Sequence, residues 1–195
     1  MPKISDTSGA ILAGGRSERF GTNKAFARFQ GTPLIQRVVT VMQDLFDEIT
    51  LVTHTPELYE SLGVPAITDW EPHLGPLGGI FTALRNSSSE KVFVVACDMP
   101  ILDPAVIREI IRTGNEADAA IPFHDGIREY LMALYSRRLL PDLCLALKNR
   151  RLSVKEFCSK VADVVWVPIG GDSWQNINTE KELRQLESRR EGGAL

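Results

Sequence analysis

Gly9-Ala10-Ile11-Leu12-Ala13-Gly14-Gly15-Arg16-Ser17-Glu18-Arg19 is the stretch on which the reading of this chain turns. Gly9 to Ala13 is an apolar run closed by a glycine pair, the pattern of a buried strand that ends in a Gly-rich turn. In an open α/β sheet the loop after the first strand lies at the carboxyl edge, where such sheets bind ligands. The segment therefore predicts a fold class and also where in that fold the chemistry sits.

Working outward, Leu34, Ile35, Val38, Val41, Met42 and Leu45 recur at steps of three and four. This predicts an amphipathic helix from Pro33 to Phe46, with Thr32 as N-cap and Pro33 at the first helical position. Ile49–Thr53 reads as a strand, Pro56–Leu62 as a short helix, and Ala66–Thr68 as a brief strand ending at Asp69. A helix beginning at Gly78, an apolar strand from Lys91 to Cys97 and a helix opened by Asp103-Pro104, with Ile107, Ile110 and Ile111 inward, continue the alternation. Strands alternating with helices imply right-handed crossovers, so the expected fold class is α/β, a three-layer α/β/α arrangement around a mostly parallel sheet. After Asp118 two short strands, Ala119–Pro122 and Tyr130–Tyr135, predict an antiparallel element in the C-terminal half, followed by helices at 137–147 and 153–159. Capping boxes at Ser153-x-x-Glu156 and Thr179-x-x-Glu182 start helices near residues 154 and 180, and Ser188–Leu195 reads as a frayed tail. With 195 residues and no repeat or linker, one domain is expected.

The 22 basic and 25 acidic residues give a net charge of -3, without the basic stripe of a nucleic-acid binder. Apolar runs such as Val92-Phe93-Val94-Val95-Ala96-Cys97 are too short to cross a bilayer, and the N-terminus has no signal-peptide core, so no membrane and a cytoplasmic location are expected. Cys97, Cys144 and Cys158 are an odd number at wide spacing, which suits reduced packing residues.

The chemistry is expected around the glycine pair. Gly14 and Gly15 allow positive φ, so successive N–H groups turn toward anionic oxygens as a nest, and Arg16, Arg19 and Lys24 add cationic groups. The pattern is neither the GxGxxG dinucleotide fingerprint nor a P-loop, since no G-K-[ST] follows. Asp98, in Cys97-Asp98-Met99-Pro100 at a strand end, is the natural metal ligand, because Mg²⁺ needs only one or two carboxylates besides substrate phosphates. A cap on the turn into Pro100 is the other reading of Asp98; Asp69, ending a strand on the same sheet edge, favours a site. Gly75-Pro76-Leu77-Gly78-Gly79-Ile80 resembles a second Gly-rich turn into a helix, whose N–H groups could meet a base or a phosphate.

Taken in order, Leu12-Ala13-Gly14-Gly15-x-Ser17-x-Arg19-Phe20-Gly21-x-x-Lys24, Asp69, Gly75 to Ile80, Cys97 to Pro100 and Asn176-Ile177-Asn178-Thr179 resemble the molybdenum cofactor guanylyltransferases, nucleotidyltransferases with a Rossmann-like sheet. The first motif is shared with cytidylyltransferases and sugar-phosphate nucleotidyltransferases; the later ones favour guanylyl transfer. The resemblance implies that Leu12, Ala13, Gly14, Gly15, Lys24, Asp69 and Asp98 bind GTP, that Asp98 holds Mg²⁺, and that Asn176 and Asn178 lie near a molybdopterin or molybdenum-cofactor acceptor. It implies a nucleotide-binding part to about residue 118, an acceptor-binding remainder and transient contact with cofactor-biosynthesis or acceptor proteins. Arg19, Lys24 and Asp98 are then the catalytic set, stabilising charge that builds on pyrophosphate. Three positions depart from the family pattern: Asn23 replaces an acidic residue, Glu180 a proline, and His54 an asparagine near the nucleotide. Otherwise His54, His73 and His124 read as loop or surface residues, and Asn176 and Asn178 can equally shape the turn before Thr179. A cytidylyl- or sugar-phosphate transferase and a non-catalytic nucleotide-binding protein stay open as alternatives.

Overall fold

β1 (Thr7–Leu12) lies in the middle of the sheet because it is apolar in both directions: Ala10 and Leu12 join the core on one face and Ile11 the core on the other. The structure, a computed structural model, describes residues 2–14, 23–161, 163–170, 174–175, 177 and 179–191. After β1 come β2 (Arg28–Phe29), β3 (Thr32–Pro33), α1 (Leu34–Leu45), β4 (Ile49–Thr53), β5 (Ala66–Thr68), α2 (Gly75–Asn86), β6 (Lys91–Ala96) and β7 (Ile101–Leu102). The chain continues through α3 (Pro104–Thr113), β8 (Ala119–His124), β9 (Ile127–Arg128), β10 (Met132–Ser136), α4 (Leu140–Lys148), α5 (Val154–Cys158), β11 (Val164–Pro168), β12 (Trp174–Gln175) and α6 (Glu180–Glu191).

Among the described residues the main sheet has eight strands in the order β11-β8-β10-β6-β1-β4-β5, with β9 paired to β8. β6, β1, β4 and β5 are parallel neighbours, β10 runs antiparallel between β6 and β8, and β11 is parallel to β8. The architecture is thus the expected α/β fold, mostly parallel with an antiparallel element in its C-terminal half. Alternation along β6 shows the layering: Phe93 and Val95 meet α1 and α3, while Val92 and Val94 meet α2, α4 and α5. Gly9 lets α1 pack closely on β1: a Cβ there would stand 2.7 Å from Met42 Cε and 3.1 Å from the Ile49 and Phe46 side chains, which would have to shift. No helix among the described residues is long and apolar enough to cross a membrane.

The structure corrects several boundaries. The helix expected from Pro33 starts at Leu34, because Gln30 and Gly31, both at positive φ, turn β2 back onto β3 and draw Thr32 and Pro33 into that hairpin. Pro33 is then extended at ψ 141 and caps without a side-chain bond. The helix expected from Gly78 begins a turn earlier, at Gly75, so the second Gly-rich segment is helix rather than turn. The region read as a tail is helical to Glu191, since Leu183 and Leu186 bury against Phe29 and Leu34 and hold α6 in place. The Thr179 capping box is formed in both directions at 3.2 Å. No expectation covered β11, although Val164-Val165-Trp166-Val167 is rich in strand formers.

Candidate active site

At the carboxyl edge of the sheet, β1 lies between β4 and β6, and its last carbonyl and the next amide are tied to both. Ala13 N–H donates to Val52 O at 2.9 Å, and Cys97 N–H donates to Leu12 O at 3.1 Å. On the β4 and β5 side a cavity of about 590 Å³ opens, within the size range of small-molecule sites. Leu12, Ala13 and Gly14 form one wall, Thr53 and His54 another, and Asp69 with Gly75, Pro76 and Gly79 closes it. Gly79 brings α2 this close: a Cβ there would meet the Leu12 side chain at 3.2 Å. The amino end of the twelve-residue α2, lacking a side-chain cap, is turned to the cavity, the end whose dipole favours anions. His73, just before it, is held at φ 67, a left-handed conformation uncommon outside glycine.

Asp69 is 9% exposed and firmly held on one side. Its Oδ1 accepts from Thr82 Oγ1 at 2.6 Å and from Trp70 N–H at 2.9 Å, while its Oδ2 lies 3.7 Å from His54 Nε2. Thr82 carried no motif, but a hydroxyl inside the buried run Leu77 to Leu84 must find a partner, and that was its available signal.

On the β6 side of β1, Lys24 Nζ lies 2.6 Å from Asp98 Oδ2, and both side chains are less than a fifth exposed. Asp98 Oδ1 is buried without a hydrogen-bond partner among the described residues. A lone buried carboxylate oxygen costs free energy unless something cationic meets it, which is the chemistry of a hard-cation ligand. No group of three or more His, Cys, Asp or Glu among the described residues could hold a metal, and Mg²⁺ sites commonly take one or two carboxylates with substrate phosphates and water. Burial, with a smaller push from the Asp98 charge, drives the neighbouring Cys97 thiol up to about 12, which keeps it neutral. Burial first, and then the Asp98 charge, also raises Glu129 above the usual carboxylate range, against the opposing Leu131 N–H bond. Glu129 is another residue that no motif marked.

Of the residues singled out from sequence, Leu12, Ala13, Gly14 and Asp69 meet in the cavity, and Lys24 and Asp98 meet each other beside it without lining it. Gly15 and Arg19, with Arg16 and Ser17, lie outside the described residues, as do Asn176 and Asn178. Between those two, Ile177 is fully buried and donates its N–H to the Asp98 carbonyl at 3.1 Å, just past the end of β6. His54 and His73 are exposed loop residues, as read, and both line the cavity, because the β4 and α2 ends converge there, which chain order could not show. The cysteines are free, Cys158 buried and the other two half-buried.

A parallel, Rossmann-like core with a nucleotide-sized cleft at its carboxyl edge and a lysine–aspartate pair beside it defines the class: this is a nucleotidyltransferase. The family described as the MobA-like NTP transferase domain matches residues 9–163. The chain belongs to that family, among the molybdenum cofactor guanylyltransferases. It is 32% identical to a probable molybdenum cofactor guanylyltransferase of Chloroflexus aggregans, over 96% of this chain and 97% of that one. It is 34% identical to the molybdenum cofactor guanylyltransferase of Desulfosudis oleivorans, over 96% and 98%. Among solved structures, molybdopterin-guanine dinucleotide biosynthesis protein A of Archaeoglobus fulgidus is similar at a TM-score of 0.82 and 26% identity, over 95% of this chain and 99% of that one.

Proposed function

We propose that the chain transfers GMP from GTP to the terminal phosphate of molybdopterin or its metal-loaded form and releases pyrophosphate. The observation that carries this reading is Asp98, with one carboxylate oxygen on Lys24 and the other buried without a partner among the described residues, at the strand end beside the cavity. The names of the relatives supply the base and the acceptor. An acceptor phosphate oxygen forms a bond to the α-phosphorus of GTP as the bond to the pyrophosphate oxygen breaks. The nucleophile is already an anion, so positioning and charge neutralisation dominate and no general base is assigned. Lys24, with Arg19 and the N–H groups of Gly14 and Gly15, holds the phosphates and balances charge that builds on the departing pyrophosphate. Asp98 would hold Mg²⁺, which when bound polarises the α-phosphate. Asp69 and the amino end of α2 complete the nucleotide side. Asn176 and Asn178 serve the acceptor in the part of the chain after about residue 118, consistent with the Ile177 bond to Asp98.

The test is pyrophosphate release with molybdopterin and each of GTP, CTP, ATP and UTP, with and without Mg²⁺. GTP and the metal are both required on this reading, and Asp98→Ala lowers kcat by roughly 100-fold or more, the scale of losing one preorganised charge-stabilising group. Wild-type turnover in Asp98→Ala would remove its metal role, and a preference for CTP would move the chain to cytidylyl transfer.

A further inference from the structure

Residues 15–22, the phosphate-binding stretch of the proposed reading, are flanked by Ala13-Gly14 on one side and Asn23-Lys24 on the other. Tyr59, from the 3₁₀ segment Pro56–Leu62, joins the two flanks. It is 2% exposed, and its ring stacks on Phe26 with centroids 5.3 Å apart. Asn23 Nδ2 donates to Tyr59 Oη at 3.1 Å, and Tyr59 Oη donates to the Ala13 carbonyl at a longer 3.4 Å. The same carbonyl accepts from Thr53 Oγ1 at 3.0 Å.

The direction of this chain of bonds is fixed by its first member. Asn23 Oδ1 is occupied as acceptor of the Ala25 N–H at 3.2 Å, so the amide nitrogen is the atom turned to the phenol. A phenol that accepts this N–H keeps its own proton for a carbonyl. Burial, the largest influence on the Tyr59 hydroxyl, raises its pKa and keeps that proton in place. Because a trans peptide sets the C=O and the next N–H in opposite directions, holding Ala13 O on Thr53 and Tyr59 also fixes where the Gly14 N–H points. At the other end, the bond to Asn23 fixes the residue that precedes Lys24.

Resting on the proposed reading of Gly14 and Lys24 as phosphate-binding residues, we infer that Asn23 and Tyr59 are positioning residues: their relay fixes the direction of the Gly14 N–H and the place of the residue before Lys24, and sets triphosphate affinity rather than the chemical step. Binding groups held in place before the ligand arrives spare it the cost of ordering them. Lys24 retains its own bond to Asp98, so the reacting centre does not depend on the relay.

The experiment is a double-mutant cycle on the full chain with Tyr59→Phe and Asn23→Ser. Phenylalanine keeps the buried ring and its stack on Phe26, while serine can still cap the Ala25 N–H but is too short to carry an amide to the phenol. Each single change is expected to raise KM and calorimetric Kd for the triphosphate by about 10-fold, the scale of one or two neutral hydrogen bonds. kcat should stay within about 3-fold, KM for the acceptor should not move, and the double variant should exceed the worse single by no more than about 2-fold, because both break one relay. Affinity unchanged in Tyr59→Phe, single effects that multiply in the double, or a fall in kcat at constant KM each overturn the inference. A lowered melting temperature with unaltered KM does so as well, since it marks a purely structural role. The wild type separates the two readings: preference for another triphosphate refutes only the guanine assignment and the cycle is run with that nucleotide, whereas a wild type that binds no triphosphate overturns both.

Discussion

Replacing Thr82 by valine tests whether Asp69 must be held from beneath. Thr82 is 1% exposed in α2; its hydroxyl donates to Asp69 Oδ1 at 2.6 Å and accepts from Trp70 N–H at 3.0 Å. Valine keeps the β-branched shape, so neither a cavity nor a change of helix preference contributes much. What is lost is a short hydrogen bond to a carboxylate, worth about 1.5–3 kcal/mol. Trp70 N–H keeps its second acceptor, Asp69 Oδ1 at 2.9 Å, so no backbone donor is orphaned. The expected destabilisation is about 2 kcal/mol, or roughly 4–8 °C in Tm for a chain of this size. Urea unfolding without nucleotide, at unchanged m, gives the first number, and GTP titration should show affinity weakened several-fold as Asp69 loses its fixed rotamer. A stability change below about 0.5 kcal/mol would refute the energetic argument. Full destabilisation with unaltered GTP affinity would refute the link from Thr82 through Asp69 to the nucleotide.

Glu129 carries a prediction about pH. Its folded pKa is raised, chiefly by burial and further by Asp98, so in the window between its ordinary and its raised pKa the folded state binds more protons than the unfolded one and stability falls as pH rises. Glu129→Gln, which can still accept the Leu131 N–H, should therefore be more stable than wild type at neutral pH in EDTA, with the gain vanishing toward the ordinary carboxylate pKa; thermal melts across pH in which the two proteins stay parallel would refute it. His54→Asn introduces the residue usual in the family. His54 is 38% exposed at its side chain and 3.7 Å from Asp69, a pairing worth about 1 kcal/mol at most, so KM for GTP should change less than about 5-fold; a larger loss or a changed base preference in competition assays would make His54 a direct base contact.

Features that depend on neighbours along the chain were legible in the sequence. Apolar runs marked β1, β4 and β6, helical spacing marked α1 and α3, and Asp103 and Thr179 capped where their side chains predicted. Errors arose where distant contacts decide. Thr32 and Pro33 went to a hairpin rather than to α1, and α6 is held by leucines that meet Phe29, more than 150 residues earlier. The site divided in the same way. Lys24 and Asp98 each sit in a local motif that sequence can mark, and the structure pairs them, whereas Thr82, Tyr59 and Glu129 are noticed only through partners on other elements.

The strand order explains why the Gly-rich turn alone could specify so little. β1 separates two half-sites: the cavity lies toward β4 and β5, and the Lys24–Asp98 pair lies toward β6. On the proposed reading a nucleotide whose base and sugar occupy the first crosses the end of β1 to bring its α-phosphate to the second, so Ala13 and Gly14 are its crossing point. On the proposed reading base selection falls to the cavity side, at the start of α2. Acceptor selection on the same reading falls to the segments beyond β6 and β10, where Ile177 is bonded to the Asp98 carbonyl. A substitution at the start of α2 should therefore alter nucleotide preference at constant acceptor KM, and one near Ile177 the reverse. A glycine turn shared across many transferases can serve different bases and acceptors because neither is recognised at the turn itself.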